Sequence, residues 1–331
     1  MPAIYVDTLS VPRLSNPELY GRGFRKAHKV FDSVSTLEGE GFPVRRPFPT
    51  ARLSQADPFL LLDQMGAVDY GPGEAKGTPW HPHRGFETVT YIMDGVMEHR
   101  DSIGGGGVIT NGDTQWMTAG AGILHIETPP EWLVVKGGLF HGVQLWVNLP
   151  AHQKMTAPKY QDIHSSDLGI VSSYDGGGLI RVIAGELGGH KGPGMTQTPI
   201  IYAHVTVAPG ARVAIDWPDD HNAMVYALAG SGSISEERVA VGEGQLGVFE
   251  RGGAISFTAD VTQPAYASAG WEVLLLGGVP ISEPVARYGP FVMNTRDELV
   301  KAYEDFQSGR MGHIPAEKIP HRGAADEDPI N

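Results

Sequence analysis

The stretch HPHRGFETVTYIMDG, residues 81–95, contains the pattern that decides the fold class. Residues 86–93 are rich in β-branched and aromatic side chains, as strands are, and Asp94-Gly95 forms a typical hairpin turn after them. Asn111-Gly112 is a second such turn, and short strands continue as far as Pro150 without a long stretch of helical periodicity. The first half of the chain is therefore predicted to be an all-β sandwich or barrel.

A second strand-rich block, residues 200–278, repeats this pattern. YALAG at 226–230 resembles YIMDG at 91–95, and GEGQ at 242–245 resembles GDTQ at 112–115, at offsets of 135 and 130 residues. The close agreement of the two offsets indicates an internal duplication. A chain of 331 residues is also long enough for two domains.

The clearest helix is predicted near the C-terminus. Thr295 and Glu298 have the spacing of a capping box, and apolar residues follow at helical spacing up to Phe306. Gly309 is a candidate stop. The predicted organisation is an N-terminal extension (1–45), a first domain (46–165), a second domain (166–290), and a C-terminal helix with a polar tail (291–331).

The composition of the chain disfavours nucleic-acid-binding and membrane-spanning proteins. The net charge of −13 and the pI of about 5.4 disfavour direct binding to nucleic acid, because the surface repels phosphate. The N-terminus lacks the basic start and apolar core of a signal peptide, and no apolar run approaches the roughly 20 residues that span a bilayer. These features predict a soluble cytoplasmic protein without a membrane partner.

Two short segments carry paired metal-binding side chains. One residue separates His81 from His83, and one separates His125 from Glu127. In a strand, residues i and i+2 point to the same face. On neighbouring strands, about 4.8 Å apart, the two pairs could reach one ion at ligand distances of about 2.0–2.2 Å. The predicted metal ligands are therefore His81, His83, His125 and Glu127.

This set of donors limits the metal and the chemistry. The chain has no cysteine, so no thiolate can bind the ion. Imidazole with carboxylate favours Fe(II) first, then Ni, Cu, Mn or Zn. One or two coordination positions would stay open for water, dioxygen or substrate, as in catalytic sites. The alternative is a hydrogen-bonded cluster of core histidines, but two similar pairs in one strand-rich block favour the metal.

These segments also carry a family resemblance. HPHRGFETVTY (81–91) and GDTQWMTAGAGILHIE (112–127) resemble the two signatures of the pirin family, and QLWVNL (144–149) and YGPFVMNT (288–295) resemble later strings of that family. The resemblance extends from about residue 57 to 306. It implies a bicupin, in which two tandem antiparallel β-barrels of the double-stranded β-helix type precede a C-terminal helix, with the metal in the first barrel.

The resemblance further implies ligands and activities. The family's ligands fall on the same four residues, and iron is the usual ion. Some members are quercetin 2,3-dioxygenases, which open the flavonol ring with dioxygen, whereas others are described as transcriptional co-regulators or redox-responsive binding proteins. The expected function is a dioxygenase acting on an aromatic enol or catechol substrate. A metal-dependent, redox-responsive protein or co-regulator that acts through a protein partner is the alternative.

One residue departs from the wider cupin pattern. Ordinary cupins take their carboxylate from the first motif, where Glu87 stands and shares strand parity with His81 and His83. Pirins take it from the second motif, here Glu127. Glu87 is therefore expected beside the ligands, as a candidate general base together with Glu127. The alternative for Glu87 is a salt bridge to Arg84.

The second block lacks these ligands. When the offsets are carried across, the four ligand positions fall on or near Asp216, Pro218, Ser256 and Thr258. Because this set is not a metal site, the second barrel is predicted to be structural or to provide a binding surface.

Overall fold

Strands dominate the computed structural model, which describes residues 5–19, 21–264 and 270–314. The earlier strands are β1 (Ala27–Asp32), β2 (Val34–Glu38), β3 (Phe42–Phe48), β4 (Phe59–Tyr70), β5 (His81–His83), β6 (Phe86–Asp94), β7 (Val96–Asp101), β8 (Gly106–Thr110), β9 (Thr114–Thr118), β10 (Ile123–Thr128), β11 (Gly138–Asn148) and β12 (Lys159–Ile163). The later strands are β13 (Gly169–Ser172), β14 (Gly178–Ala184), β15 (Glu186–Leu187), β16 (His190–Lys191), β17 (Ile200–Val207), β18 (Arg212–Asp216), β19 (Met224–Ala229), β20 (Ser231–Ile234), β21 (Val239–Gly242), β22 (Gln245–Phe249), β23 (Ala254–Ala259), β24 (Trp271–Gly278), β25 (Ala286–Tyr288) and β26 (Phe291–Met293). The α-helices are α1 (Glu131–Lys136) and α2 (Arg296–Gln307).

The two halves of the chain build barrels with the same strand order. In the first, a seven-stranded sheet ordered β12-β9-β6-β11-β4-β3-β2 faces a four-stranded sheet ordered β5-β10-β7-β8. In the second, the orders are β1-β22-β19-β24-β17-β14-β13 and β18-β23-β20-β21. The prediction of an all-β fold with two antiparallel barrels and a C-terminal helix is confirmed.

The predicted N-terminal extension contributes strands to both barrels. β1 pairs with β22 of the second barrel, whereas β2 and β3 continue the large sheet of the first. β12 lies at the edge of the first large sheet, next to β9, and β1 lies at the corresponding edge of the second, next to β22. Each added strand covers an edge whose backbone groups would otherwise be unpaired.

The two large sheets pack against each other through their outer faces. Along β6 the side chains alternate, so that Val89 and Tyr91 join an apolar cluster shared with Tyr202 of the second barrel, while Thr90 faces the interior of the first. Hydrogen bonds cross this interface as well. The hydroxyl of Tyr226 donates to Oε1 of Gln64 at 2.8 Å.

The C-terminal helix lies behind β5 and β10. The predicted capping box is present, because Oγ1 of Thr295 accepts from the backbone N–H of Glu298, and the Glu298 side chain accepts from the backbone of Thr295. Ala302 is fully buried in a cluster with Leu124 of β10. The helix ends at Gln307, two residues before the predicted glycine stop. From residue 315 onward the predicted polar tail lies outside the described residues.

No helix in the described part of the chain is long and apolar enough to cross a lipid bilayer.

Candidate metal centre

The two histidine-bearing segments are neighbouring antiparallel strands. β5 pairs with β10 in a register that sets His81 opposite His125 and His83 opposite Ile123. Side chains of matching parity on paired strands share a face. The spacing of two residues within each segment therefore brings the imidazoles of His81, His83 and His125 to one place, as the sequence predicts.

The distances between the ring nitrogens fit a common ion. Nε2 of His81 lies 3.0 Å from Nε2 of His83 and 2.9 Å from Nε2 of His125, and the ligand atoms of the three residues all lie within 4.8 Å of one another. Two ligand atoms about 2.1 Å from one ion and at right angles to each other are about 3.0 Å apart. The three histidines are thus spaced as adjacent ligands would be.

The hydrogen bonding of His81 directs its free lone pair into the cluster. Its Nδ1 lies 2.8 Å from the carbonyl oxygen of Pro79, to which it can only donate. Nε2 then carries a lone pair that faces Nε2 of both other histidines. Converging lone pairs repel each other unless a cation or a proton lies between them, so the donor set fits a metal ion.

Burial keeps these imidazoles neutral, which is the form that binds metals. Desolvation lowers the pKa of His81, and it lowers the pKa of His83 and His125 well below the ordinary value. Proximity of the histidines to one another lowers the pKa of His83 and His125 further.

Glu127 lies on the same face of β10 as His125, but it is set back from the three histidines. Its Oε1 accepts a hydrogen bond from Oγ1 of Thr90 at 3.0 Å, and no basic side-chain nitrogen of the described residues lies within 4.0 Å of the carboxylate. Burial raises its pKa. A buried carboxylate without a cationic partner is costly, so this position also fits a nearby cation.

A cavity of about 500 Å³ leads from the surface to this cluster. Its walls are largely apolar, with Leu61, Met65, Met97 and Trp146 among them, and His81, His83 and Glu127 also line it. Pockets of roughly 300–1,000 Å³ suit small organic ligands. The edge of the Trp146 indole contacts the ring of His83, with a centroid separation of 5.3 Å.

Comparison with known proteins agrees with this architecture. The Pirin family model matches residues 41–147, and the model of the pirin C-terminal cupin domain matches residues 202–312. The chain belongs to the pirin family. Its two barrels are therefore cupin domains, as the resemblance implied.

Three related proteins illustrate the similarity. A Pseudomonas aeruginosa protein provisionally named a quercetin 2,3-dioxygenase is 43% identical over 274 residues, which cover 82% of this chain and 93% of that protein. A pirin-like protein of Solanum lycopersicum is 38% identical over 276 residues, covering 83% and 89%. The crystal structure of quercetin 2,3-dioxygenase from Acinetobacter baumannii superposes with a TM-score of 0.81 at 38% identity, and covers 88% of this chain and all of that one.

Glu87, at the position of the usual cupin carboxylate, does not face the histidines in this pirin. Phe86 contacts the ring of His83, and Glu87 points to the opposite face of β6, where its Oε1 accepts from Oγ1 of Thr118 at 2.6 Å. The expectation that Glu87 shares the face of the two histidines is therefore corrected. The alternative, a salt bridge to Arg84, is not formed either.

Arg84 instead pairs with the C-terminal helix. Its Nη1 donates to Oδ2 of Asp305 at 2.8 Å, and its Nε donates to the carbonyl oxygen of Ala121. This buried ion pair ties α2 to the strand that carries two of the histidines. A separation of 221 residues in sequence hid the contact from local pattern analysis.

Within the pirin's second barrel, the described interior is apolar. Ile215 and Val213 of β18 face Ile255 and Phe257 of β23 in register, and these side chains belong to one buried cluster. Asp216, the residue that an offset of 135 places at the position of His81, is exposed on the outer face of that strand. The predicted correspondence is therefore shifted by one residue from the inward-facing Ile215. The conclusion that this barrel lacks the metal ligands is unchanged.

Sequence reasoning missed Arg287, which follows the second barrel but lines the cavity of the first. A hairpin of β25 and β26 carries it back, through a bridge between Phe291 and Arg84. The match of residues 288–295 to a family string was the available signal for this segment.

Proposed function

We propose that this pirin is a mononuclear non-haem dioxygenase that opens the ring of quercetin-type flavonols or related enol and catechol substrates. In this proposal the metal ligands are His81, His83, His125 and Glu127, and the ion is Fe(II). The observation that carries the proposal is the convergence of three neutral imidazole nitrogens beside a substrate-sized cavity.

The shape of the site supports catalysis over partner binding. A redox-responsive binding protein would need only a filled site beneath a partner-facing patch, whereas an oxygenase needs room for an aromatic ring beside the metal. The cavity of about 500 Å³ supplies that room. Among the relatives, the names of the Pseudomonas and Acinetobacter proteins point to the same reaction.

A bound Fe(II) would supply Lewis acidity and a path for electrons from the substrate to dioxygen. The protein's own side chains exclude water, contact the substrate and take its proton. Leu61, Met97 and Trp146 exclude water from the cavity and contact the planar faces of the substrate. Glu127 has its pKa raised by burial and is suited to take the proton that the substrate hydroxyl loses.

Thr90 holds the Glu127 carboxylate in the cavity through its hydroxyl. For a flavonol whose hydroxyl is deprotonated, both atoms of dioxygen enter the organic product as the ring opens, and one ring carbon leaves as carbon monoxide. This stoichiometry gives the reaction a specific readout.

The test is anaerobic reconstitution with Fe(II), followed by measurement of bound iron, then addition of quercetin and air. We expect about one iron per chain, loss of the flavonol absorbance and release of carbon monoxide. His83→Ala and Glu127→Ala should lose turnover, and His83→Ala should also lose most of the iron. His152→Ala, which removes an exposed histidine, is the matched control.

Iron bound at one per chain without loss of flavonol or release of carbon monoxide would reject the dioxygenase proposal and favour the binding protein. Iron retained by His83→Ala would reject the proposed ligands.

A further inference from the structure

Two guanidinium groups line the cavity, and they differ in their partners. Arg46 is fully paired, because it makes a two-pronged contact with the carboxylate of Asp63 and a third hydrogen bond to Glu38. Arg287 has no carboxylate of the described residues within 4.0 Å, and its recorded hydrogen bond is a 3.5 Å contact to the carbonyl oxygen of Leu60. Arg287 therefore holds no carboxylate of the described residues in direct contact, and Asp63 and Glu38 act on its charge from a greater distance.

The position of this charge is defined by an aromatic ring. The guanidinium of Arg287 lies over the indole of Trp146, 4.7 Å from the ring centroid. The same indole contacts His83 with its edge. Stacking on an aromatic face leaves the N–H groups at the rim of the guanidinium free to donate in the plane. The indole of Trp146 therefore separates the guanidinium of Arg287 from the histidine cluster.

The segment that carries Arg287 is anchored rather than loose. The backbone N–H of Val292 donates to the carbonyl oxygen of Arg84 at 3.0 Å, and Phe291 is buried against Leu124. Gly289 and Pro290, between Arg287 and this anchor, also line the cavity. The second half of the chain thereby contributes a wall to the site of the first.

We propose that Arg287 is a substrate-binding residue that pairs with an anionic oxygen, and that the cavity binds planar aromatic substrates with a carboxylate beside a metal-directed hydroxyl more tightly than uncharged flavonols such as quercetin. This inference rests on the proposed function in taking the cavity as the substrate site. Arginine forms paired, charge-assisted hydrogen bonds with a carboxylate, which a neutral substrate cannot match. Because Arg287 is exposed, the expected gain is at the lower end of such interactions.

The test compares two ligands of the same size and different charge, 2-hydroxybenzoate and 2-hydroxybenzamide. Their binding is measured by calorimetry, in metal-free protein and in anaerobic Fe(II)-loaded protein. The variant is Arg287→Gln, which keeps a polar side chain and removes the charge. Arg52→Gln is the matched control, since the Arg52 side chain is 77% exposed and lies outside the cavity lining.

We expect Arg287→Gln to weaken 2-hydroxybenzoate about tenfold and to leave 2-hydroxybenzamide within about twofold, with Arg52→Gln unchanged for both. Equal weakening of the two ligands, an unchanged affinity for 2-hydroxybenzoate, or the same loss in Arg52→Gln would overturn the proposal. So would the absence of 2-hydroxybenzoate binding by both forms of the wild-type protein. The metal-free titration reports on Arg287 even where iron binding or turnover fails, so failure of the dioxygenase proposal is recognised separately.

Discussion

In the first barrel the inward face of β10 carries His125 and Glu127, whereas in the second the inward face of β23 carries Ile255 and Phe257. The strand order around them is the same. One interior therefore holds a cavity lined in part by histidine and carboxylate side chains, and the other is filled with apolar side chains. The two barrels therefore share one arrangement of strands. The residues at a few inward-facing positions decide whether a barrel binds a ligand or stabilises its neighbour.

The largest expected effect tests the packing of the two interiors. Phe257 is fully buried in the second barrel, whereas Met97 borders the cavity of the first. We expect Phe257→Ala to lower the free energy of unfolding by about 3–5 kcal/mol, because it leaves a new void. Met97→Ala should cost about 2 kcal/mol or less, since one side of this residue already lacks packing partners. Urea unfolding of the metal-free protein measures both, and equal losses would contradict the contrast between the interiors.

A smaller effect is expected where the two barrels meet. Nε2 of His141 lies 3.0 Å from the side-chain nitrogen of Gln64, which donates to it, and burial lowers the pKa of His141 to about 3. The unfolded chain has a histidine pKa of about 6.5, so below that pH the unfolded state binds more protons. The stability that neutral His141 provides is therefore fully present above about pH 6.5 and is lost as the pH falls.

Between pH 7 and pH 5 this residue should cost the wild type about 2 kcal/mol. His141→Gln, which does not titrate, should lose that much less stability over the same range. Chemical unfolding at the two pH values measures the difference, with His152→Gln as an exposed control. A pH dependence identical in the wild type and His141→Gln would contradict this, because it would show that folding leaves the pKa of His141 unchanged.

The smallest effect concerns α2, which lies against the first barrel. Thr295→Ala removes the cap at its N-terminus and should lower the free energy of unfolding by about 1 kcal/mol. Under the proposed function, iron binding should stay at about one per chain in this variant, because the buried pair of Arg84 and Asp305 still joins the helix to the residue after β5. Thermal unfolding and metal analysis of the same preparation check both statements. A loss of iron would mean that the helix end also supports the histidine strand.

Several features of this protein depend only on residues that are close together in the chain. The alternation of two within His81–His83 and His125–Glu127, the hairpin turns and the capping box at Thr295 all arise from contacts over a few residues. Local backbone geometry is sufficient to specify them. These local patterns predict an all-β sandwich or barrel, the C-terminal helix and the two pairs of metal-binding side chains, whereas the two tandem barrels and the full ligand set were implied by the resemblance to the pirin family.

Two other features, the direction of the Glu87 side chain and the position of Arg287, depend on the tertiary structure. The prediction that Glu87 faces the same side as His83 was wrong because the extended backbone is interrupted at Gly85 between β5 and β6. Gly85 has a φ of 88°, a left-handed conformation, and a Cβ there would lie 1.9 Å from the carbonyl oxygen of Val292. The return of Arg287 to the cavity likewise depends on packing between segments that are some 200 residues apart in the chain. A periodic pattern records the residues within one strand, and it contains no information on how a distant segment packs against that strand.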